Sequence, residues 1–285
     1  MMANGLANKA QEVAKEDYNK AKVLLNEAAK SGTYWYPIKG IFYFFTRPEL
    51  SRPLRSKIVP YFTLYTGVLG SMFFFTYIPQ LAVMTFVNGP LAIFTTALLI
   101  LSESATITGL LARNYILKDA ILDTFDGTLI SRGCAAVLAE GRELKAGGDA
   151  IQRLGRALKT PFRKFSLTEI IRYFMYLPLN FIPVIGTAAF IILRGRSRGE
   201  VIHDRYFQLK GWPSSKRHDW LKNHRAPYTG FGTVATLLEM VPLASVLFSF
   251  TNTVGAALWA ADLEAKELKA SESTTSTAPE ASKAE

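Results

Sequence analysis

Glu103 is the only charged side chain between Lys57 and Arg113, and hydroxyls surround it in sequence at Ser102, Ser104, Thr106 and Thr108. A carboxylate inside an apolar run is expensive to hold away from water, so it marks an ion or proton site or implies a partner. Glu239 interrupts a second uncharged stretch, Tyr228 to Ala261, in the same way and lies close to Pro242. Each carboxylate could take a proton or cation, pair with an arginine at the edge of its segment, or hydrogen-bond neighbouring hydroxyls in the neutral form. Arginines gather just outside these runs. Arg52 and Arg55 lie in the proline-broken collar from Arg47 to Lys57, and Arg194, Arg196 and Arg198 follow another apolar segment directly. Guanidinium groups at such positions suit an oxyanion or a lipid phosphate, because their forked donors match its oxygens. The same arginines would serve nucleic acid, but their position against apolar segments favours anionic headgroups.

Catalytic patterns are missing where they would be looked for. His203, His218 and His224 have no HExxH spacing and no cysteine pair beside them, and the chain contains a single cysteine, Cys134. No GxSxG, P-loop or dinucleotide fingerprint occurs. The reading is therefore a non-enzymatic protein with no metal and no cofactor, whose histidines are solvated at the membrane interface and whose one thiol rules out an intrachain disulfide.

The elements that must position these residues are written in the charge distribution. The chain has 285 residues, 49% of them hydrophobic and 20% charged, a mean hydropathy of +0.14 and a net charge of +10. These averages fit an ordinary soluble protein, but they mix two populations. Residues 58–102 form 45 consecutive positions without Asp, Glu, Lys or Arg, residues 173–193 form another 21, and residues 228–261 form 34 interrupted only by Glu239. Runs of about 18 or more such residues are candidates for membrane insertion. The first is too long for one span, and Asn88-Gly89-Pro90 near its middle is a turn signal. It reads as a helical hairpin over 58–112, with Pro60 at a helix start and Pro79 at a kink. In 173–193, Pro178, Asn180, Pro183 and Gly186 oppose a straight helix. Either a single kinked span or a re-entrant pair of half-length helices fits that pattern.

Charge discriminates between the two. Lys and Arg number ten in residues 1–57, eleven in 113–172 and nine in 194–227. The positive-inside rule puts all three blocks in the cytosol. A hairpin returns the chain to that side, and a single span at 173–193 would then expose the third block on the far side. The re-entrant form is preferred there, and a second shallow insertion is expected at 228–261. Residues 1–57 read as an amphipathic helix, lying on a membrane or on the protein itself, followed by the basic collar. Cytosolic helices are expected over 113–172 and a basic connector over 194–227. The Ser-, Thr-, Ala- and Glu-rich stretch from 265 to 285 reads as disordered. The fold class is all-α and membrane-embedded.

At these residues the chain resembles the superfamily of the bacterial sulfate permease CysZ and the etoposide-induced membrane proteins. The likeness spans roughly Gly40 to Leu263. It rests on Pro53-Leu54-Arg55 through Pro60, on the Pro178/Asn180/Pro183/Gly186 motif, on Tyr206-Phe207-Gln208-Leu209-Lys210-Gly211-Trp212 and on Val254-Gly255-Ala256-Ala257-Leu258-Trp259. The stretch Tyr36-Pro37-Ile38-Lys39-Gly40-Ile41-Phe42-Tyr43-Phe44 looks like the fungal branch associated with lipid droplets and the outer spore wall. The resemblance implies a long hairpin and two half-penetrating helix pairs. In the bacterial permeases a Gly-Leu-Arg element binds sulfate; here the matching residues are Pro53-Leu54-Arg55, and proline removes the backbone donor that glycine offers. The resemblance therefore implies a membrane protein of lipid droplets or the endoplasmic reticulum, acting in lipid storage or spore-wall assembly during sporulation. Its expected partners are membrane lipids and further copies of itself, not nucleic acid. The competing function is an anion permease or channel formed by an oligomer.

Overall fold

The uncharged run folds into two long helices, and the turn between them has local causes. The computed structural model describes residue 23 and residues 26–139, 141–158, 195–241 and 244–276. Helix α1, Trp35–Thr46, leads through a 3-10 turn at Pro48–Ser51 into α2, Arg52–Asn88. Gly89 then adopts φ +53, a conformation that disfavours a Cβ, and Pro90 starts a 3-10 turn that feeds α3, Ala92–Tyr115. The Asn88 amide donates to the Thr95 hydroxyl at 3.1 Å and closes the tip. The hairpin is where the charge pattern placed it, but α2 begins inside the basic collar. Pro53 occupies its first turn, so Pro60 lies within the helix and does not start it.

The two helices pack through a row of mostly small side chains. Ala92, Thr96, Ile100, Ser104, Thr108 and Ala112 recur every fourth residue on α3 and are buried. Small residues at this spacing let two backbones approach closely. The outer surface is the reverse of a water-soluble one, exposing Phe62, Phe74, Phe75, Ile78, Phe86, Phe94 and Leu98. Each such side chain costs roughly 1.5–3 kcal/mol in water relative to an apolar medium. At about 1.5 Å per residue α2 is about 55 Å long and α3 about 36 Å, against a hydrocarbon core of about 30 Å.

The remaining elements gather at the open end of the hairpin. Helix α4 spans Lys118–Ser131 and is buried along most of its length. A single turn, Ala135–Leu138, precedes two short antiparallel strands, β1 Arg142–Leu144 and β2 Leu154–Ala157, with Arg142 opposite Ala157 and Leu144 opposite Leu154. Among the described residues, this ribbon of seven strand residues is the departure from an architecture that is otherwise helical, as the all-α expectation has it. Gly147 and Gly148 are the positive-φ residues of its loop. Residues 195–202 are helical, followed by α5 Asp204–Leu209, α6 Ser214–Asn223, α7 Arg225–Glu239 and α8 Ser245–Ser276. The chain stays helical to Ser276, where composition predicted disorder from residue 265.

Helix α8 is the central post. Phe250, Val254, Ala257 and Ala260 are buried in it, against α1, α4 and α7. Trp259 stacks on Tyr36 and Phe231 and meets Tyr228 and His203. Residues Pro48–Tyr115 and Ser245–Ser273 are both long and apolar enough to cross a membrane. They differ in what satisfies them: the hairpin presents its apolar faces outward, whereas most of the α8 segment is consumed by the protein's own core. The described end of the N-terminal helix also rests on the protein. Ala28 is buried facing Gly230, and the Thr33 hydroxyl donates to the Pro227 carbonyl at 2.6 Å. The Pro178, Asn180, Pro183 and Gly186 motif and Arg194 lie outside the described residues.

Candidate functional site

Glu239 ends α7 where the chain bends towards α8, and three elements converge on it. Arg113, in the last turn of α3, donates to its Oε2 at 2.8 Å. Arg198, from the helical residues 195–202, donates to Oε1 at 2.6 Å, and the Asn252 amide of α8 to the same oxygen at 3.1 Å. The carboxylate is buried, with both arginines partly open to solvent. Of the roles the sequence left open, this is pairing with arginine at the edge of the apolar segments. It fixes the base of the hairpin to the end of α7 and, through Asn252, to α8. Beside it Leu237, Met240 and Val241 are exposed, an apolar patch close to a charged clamp.

Glu103 is placed differently. Gln80 of α2 donates its amide to Oε2 at 2.8 Å, which joins the two hairpin helices. The hydroxyls of Thr96, Ser104 and Thr108 are buried on the α2-facing row without a hydrogen-bond partner among the described residues. The hairpin thus has a polar seam and an apolar exterior.

The collar arginines have intramolecular acceptors. Arg52 donates to Asp149 at 2.5 Å, and Asp149 also accepts the backbone N–H groups of Ile151 and Gln152. The Gln152 N–H foremost, with the Arg52 guanidinium, holds the Asp149 carboxyl below its ordinary pKa. Arg55 turns back to the Pro48 carbonyl at 3.0 Å, and Arg196 pairs with Glu200 at 3.5 Å. Arg52 and Arg55 therefore brace the entry to α2, and Arg198 belongs to the Glu239 clamp.

The strongest polar cluster escaped the sequence reading. Asp126, fully buried on α4, accepts two hydrogen bonds from Arg205, at 2.9 and 2.6 Å, and one from Arg142 at 2.9 Å. Arg142 reaches Asp123 at 2.5 Å and the Gly155 carbonyl at 3.0 Å as well. One carboxylate thereby joins α4, the β ribbon and α5. Asp123 and Asp126 look in sequence like two acids on a solvated helix; only the tertiary arrangement brings the arginines to them.

His203 corrects the expectation of a solvated histidine. It is buried, with Nε2 3.0 Å from the Ala256 carbonyl and Nδ1 2.9 Å from the Tyr228 hydroxyl. The carbonyl can only accept, so Nε2 carries the proton and Nδ1 accepts from Tyr228. Tyr228 in turn accepts from the Trp220 indole at 3.1 Å. Burial pulls the imidazole pKa down to about 4, with the Ala256 carbonyl opposing. Among the described residues, no three His, Cys, Asp or Glu side chains are grouped to hold a metal ion.

A mostly helical protein built on a hairpin long and apolar enough to enter a membrane, with its ion pairs collected at one end, is the class these observations define. Residues 33–249 match the family described as sulfate transporter CysZ/etoposide-induced protein 2.4, and the chain belongs to that family. Among similar proteins of Saccharomyces cerevisiae, outer spore wall protein RRT8 is 25% identical over 264 residues, covering 87% of this chain and 77% of its own. Outer spore wall protein LDS1 is 23% identical over 245 residues, covering 84% and 74%. Two of the motifs that carried the resemblance, 206–212 and 254–259, lie largely in the core. Tyr206, Phe207 and Leu209 are buried, Trp212 stacks on Phe207, and Gly255, Ala256 and Trp259 make the contacts of α8 with α1 and His203.

Proposed function

We propose that the chain is a non-enzymatic membrane protein of lipid droplets and the endoplasmic reticulum, working in lipid storage or spore-wall assembly. The observation that carries this reading is the separation of surfaces. The hairpin exposes aromatic and aliphatic side chains along both outer faces, while the arginine clamps stand at its open end. A droplet has a phospholipid monolayer over neutral lipid and no aqueous far side, so a protein with its charged groups on one side can enter it. In this reading residues 173–193 and 228–261 insert without crossing. The exposed Leu237, Met240 and Val241 beside the Arg113–Glu239–Arg198 clamp support a shallow insertion for the second. The names of the two yeast relatives support the spore-wall role.

The test is fluorescence localisation of the tagged full-length protein beside a neutral-lipid dye in cells fed fatty acid. Rings around droplets are expected; confinement to bilayers while droplets are abundant overturns the droplet assignment. The family description favours a second reading, an oligomeric anion permease. Radiolabelled sulfate uptake into liposomes holding the purified protein decides it: uptake at the level of protein-free vesicles is expected, and saturable uptake moves the permease ahead.

A further inference from the structure

Helix α1 buries the face bearing Pro37, Gly40 and Phe44 and turns its largest aromatics outward. Trp35 is 50% exposed, Phe42 69% and Phe45 63%, and Lys39 lies on the same outer face. Rings of this kind with a cation among them suit the headgroup layer, where apolar and charged partners are both present. The next element, the Pro48–Ser51 turn, leads directly into α2, which keeps α1 at the membrane edge if the hairpin inserts.

Beside this face is an open groove of about 400 Å³ lined by Tyr36, Lys39, Phe42, Tyr43, Arg132 and Asp262, with Leu258 and Thr46 completing it. Its charges come from three elements. Lys39 on α1 lies over the Tyr36 ring at 4.9 Å, and Arg132 follows α4; Arg47, outside the lining, lies over the Tyr43 ring at 5.7 Å and pairs with Glu49 at 3.9 Å. Asp262 of α8 accepts from the Tyr36 hydroxyl at 2.8 Å and from Arg132 at 3.2 Å, which orients the arginine across the groove. The lining is thus net cationic, with an apolar wall at Phe42 and Leu258.

We propose that this groove binds one anionic glycerophospholipid, with its phosphate at Lys39 and Arg132 and an acyl chain along Phe42 and Leu258. The geometry explains why aromatic side chains face outward on a helix whose opposite side is already packed, and why Asp262 does not saturate the cations. The proposal rests on insertion of the hairpin, and is independent of whether the membrane belongs to a droplet.

The test uses the full-length protein in phosphatidylcholine nanodiscs carrying a minor fraction of photo-crosslinkable phosphatidylserine. Crosslinks are expected in the peptides holding Phe42 and Leu258. Lys39→Ala, an exposed change that leaves the fold intact, should reduce them roughly fivefold, the effect of one basic side chain at a lipid surface. Lys222→Gln, at an exposed position of α6, should leave them unchanged. Crosslinks spread along the hairpin and indifferent to Lys39→Ala overturn the site. Loss of crosslinking under millimolar inorganic phosphate makes it a free-anion site and overturns the lipid assignment. Failure of the protein to enter nanodiscs would instead strike at membrane insertion, which is scored separately by flotation.

Discussion

At Asp126 two guanidinium groups share one buried carboxylate, and the partners have almost no exposed surface. Removing one member of such a cluster leaves the others charged and dry, which costs about 3–5 kcal/mol. Asp126→Ala should therefore lower thermal stability in detergent far more than Asp149→Ala, whose partner Arg52 is half exposed and replaced by water. A comparable loss in both variants would mean that the buried cluster is not what joins α4, the ribbon and α5. His203 supplies a pH dependence with a defined sign. Its folded pKa of about 4 lies below the ordinary 6.5. Between these values the unfolded chain holds a proton that the folded chain does not, so stability rises with pH. The contribution is complete above about pH 6.5 and is lost as pH falls towards 4, amounting to about 3 kcal/mol. Comparing denaturation midpoints at neutral and mildly acidic pH should show a steeper acid loss for the native chain than for His203→Gln. Equal slopes would remove His203 as the source. Neither residue was legible beforehand. A sequence shows that Asp126 and His203 are ionisable, but whether such a group meets water depends on contacts made from residues far along the chain.

Between elements, glycines decide how closely helices approach. A Cβ on Gly255 of α8 would stand 2.4 Å from the Tyr36 carbonyl oxygen, and one on Gly40 of α1 would stand 2.2 Å from that of Thr251. The two helices therefore cross backbone to backbone. Gly255→Val should cost about 3 kcal/mol by overpacking and expose the Lys39–Gly40 bond in α1 to trypsin. Gly67 and Gly109 in the hairpin have open space around the same position. Gly109→Ala should change stability by no more than about 1 kcal/mol, and in the stabilising direction, since alanine is the better helix former. If both substitutions behave alike, the crossing is not tight. The hairpin itself was legible because it needs only local signals: an uncharged run sets its length, and Asn88-Gly89-Pro90 sets its turn. The ribbon was not, because β1 and β2 have three and four residues, too few for an alternating pattern to emerge. The arginines around Gly195 read as headgroup contacts. Yet Gly195 and Gly199 pack on Thr233 and Tyr228 of α7, and Arg198 serves Glu239. Position relative to an apolar segment was readable; the partner was not.

Across the whole molecule, the ion pairs of Arg52, Arg113 and Arg198 lie at the end of the structure where the hairpin opens, and the sequence at the tip carries no charged side chain. That asymmetry predicts where each part can be reached. Leu91 is exposed at the tip, and Lys145, whose backbone N–H donates to the Arg153 carbonyl in the ribbon, is exposed at the open end of the hairpin. Cys134 is the only thiol, so a Cys134→Ser chain gives a clean background for single cysteines at either place. From α3 alone, about 36 Å of helix spans a hydrocarbon core of about 30 Å. In endoplasmic-reticulum microsomes Leu91→Cys should thus escape an impermeant maleimide until the vesicles are opened, while Lys145→Cys reacts at once. On isolated droplets there is no far aqueous side, so Leu91→Cys should stay unreactive with or without a permeabilising agent, and Lys145→Cys should react as before. Prompt labelling of Leu91→Cys in sealed microsomes would place the tip on the cytosolic side and exclude a crossing hairpin. Labelling on droplets would mean that the tip is not in oil, and would require the hairpin to lie along the monolayer surface. The paired measurement separates insertion from droplet residence, because the first depends on the apolar faces of α2 and α3 and the second on the compartment that receives them.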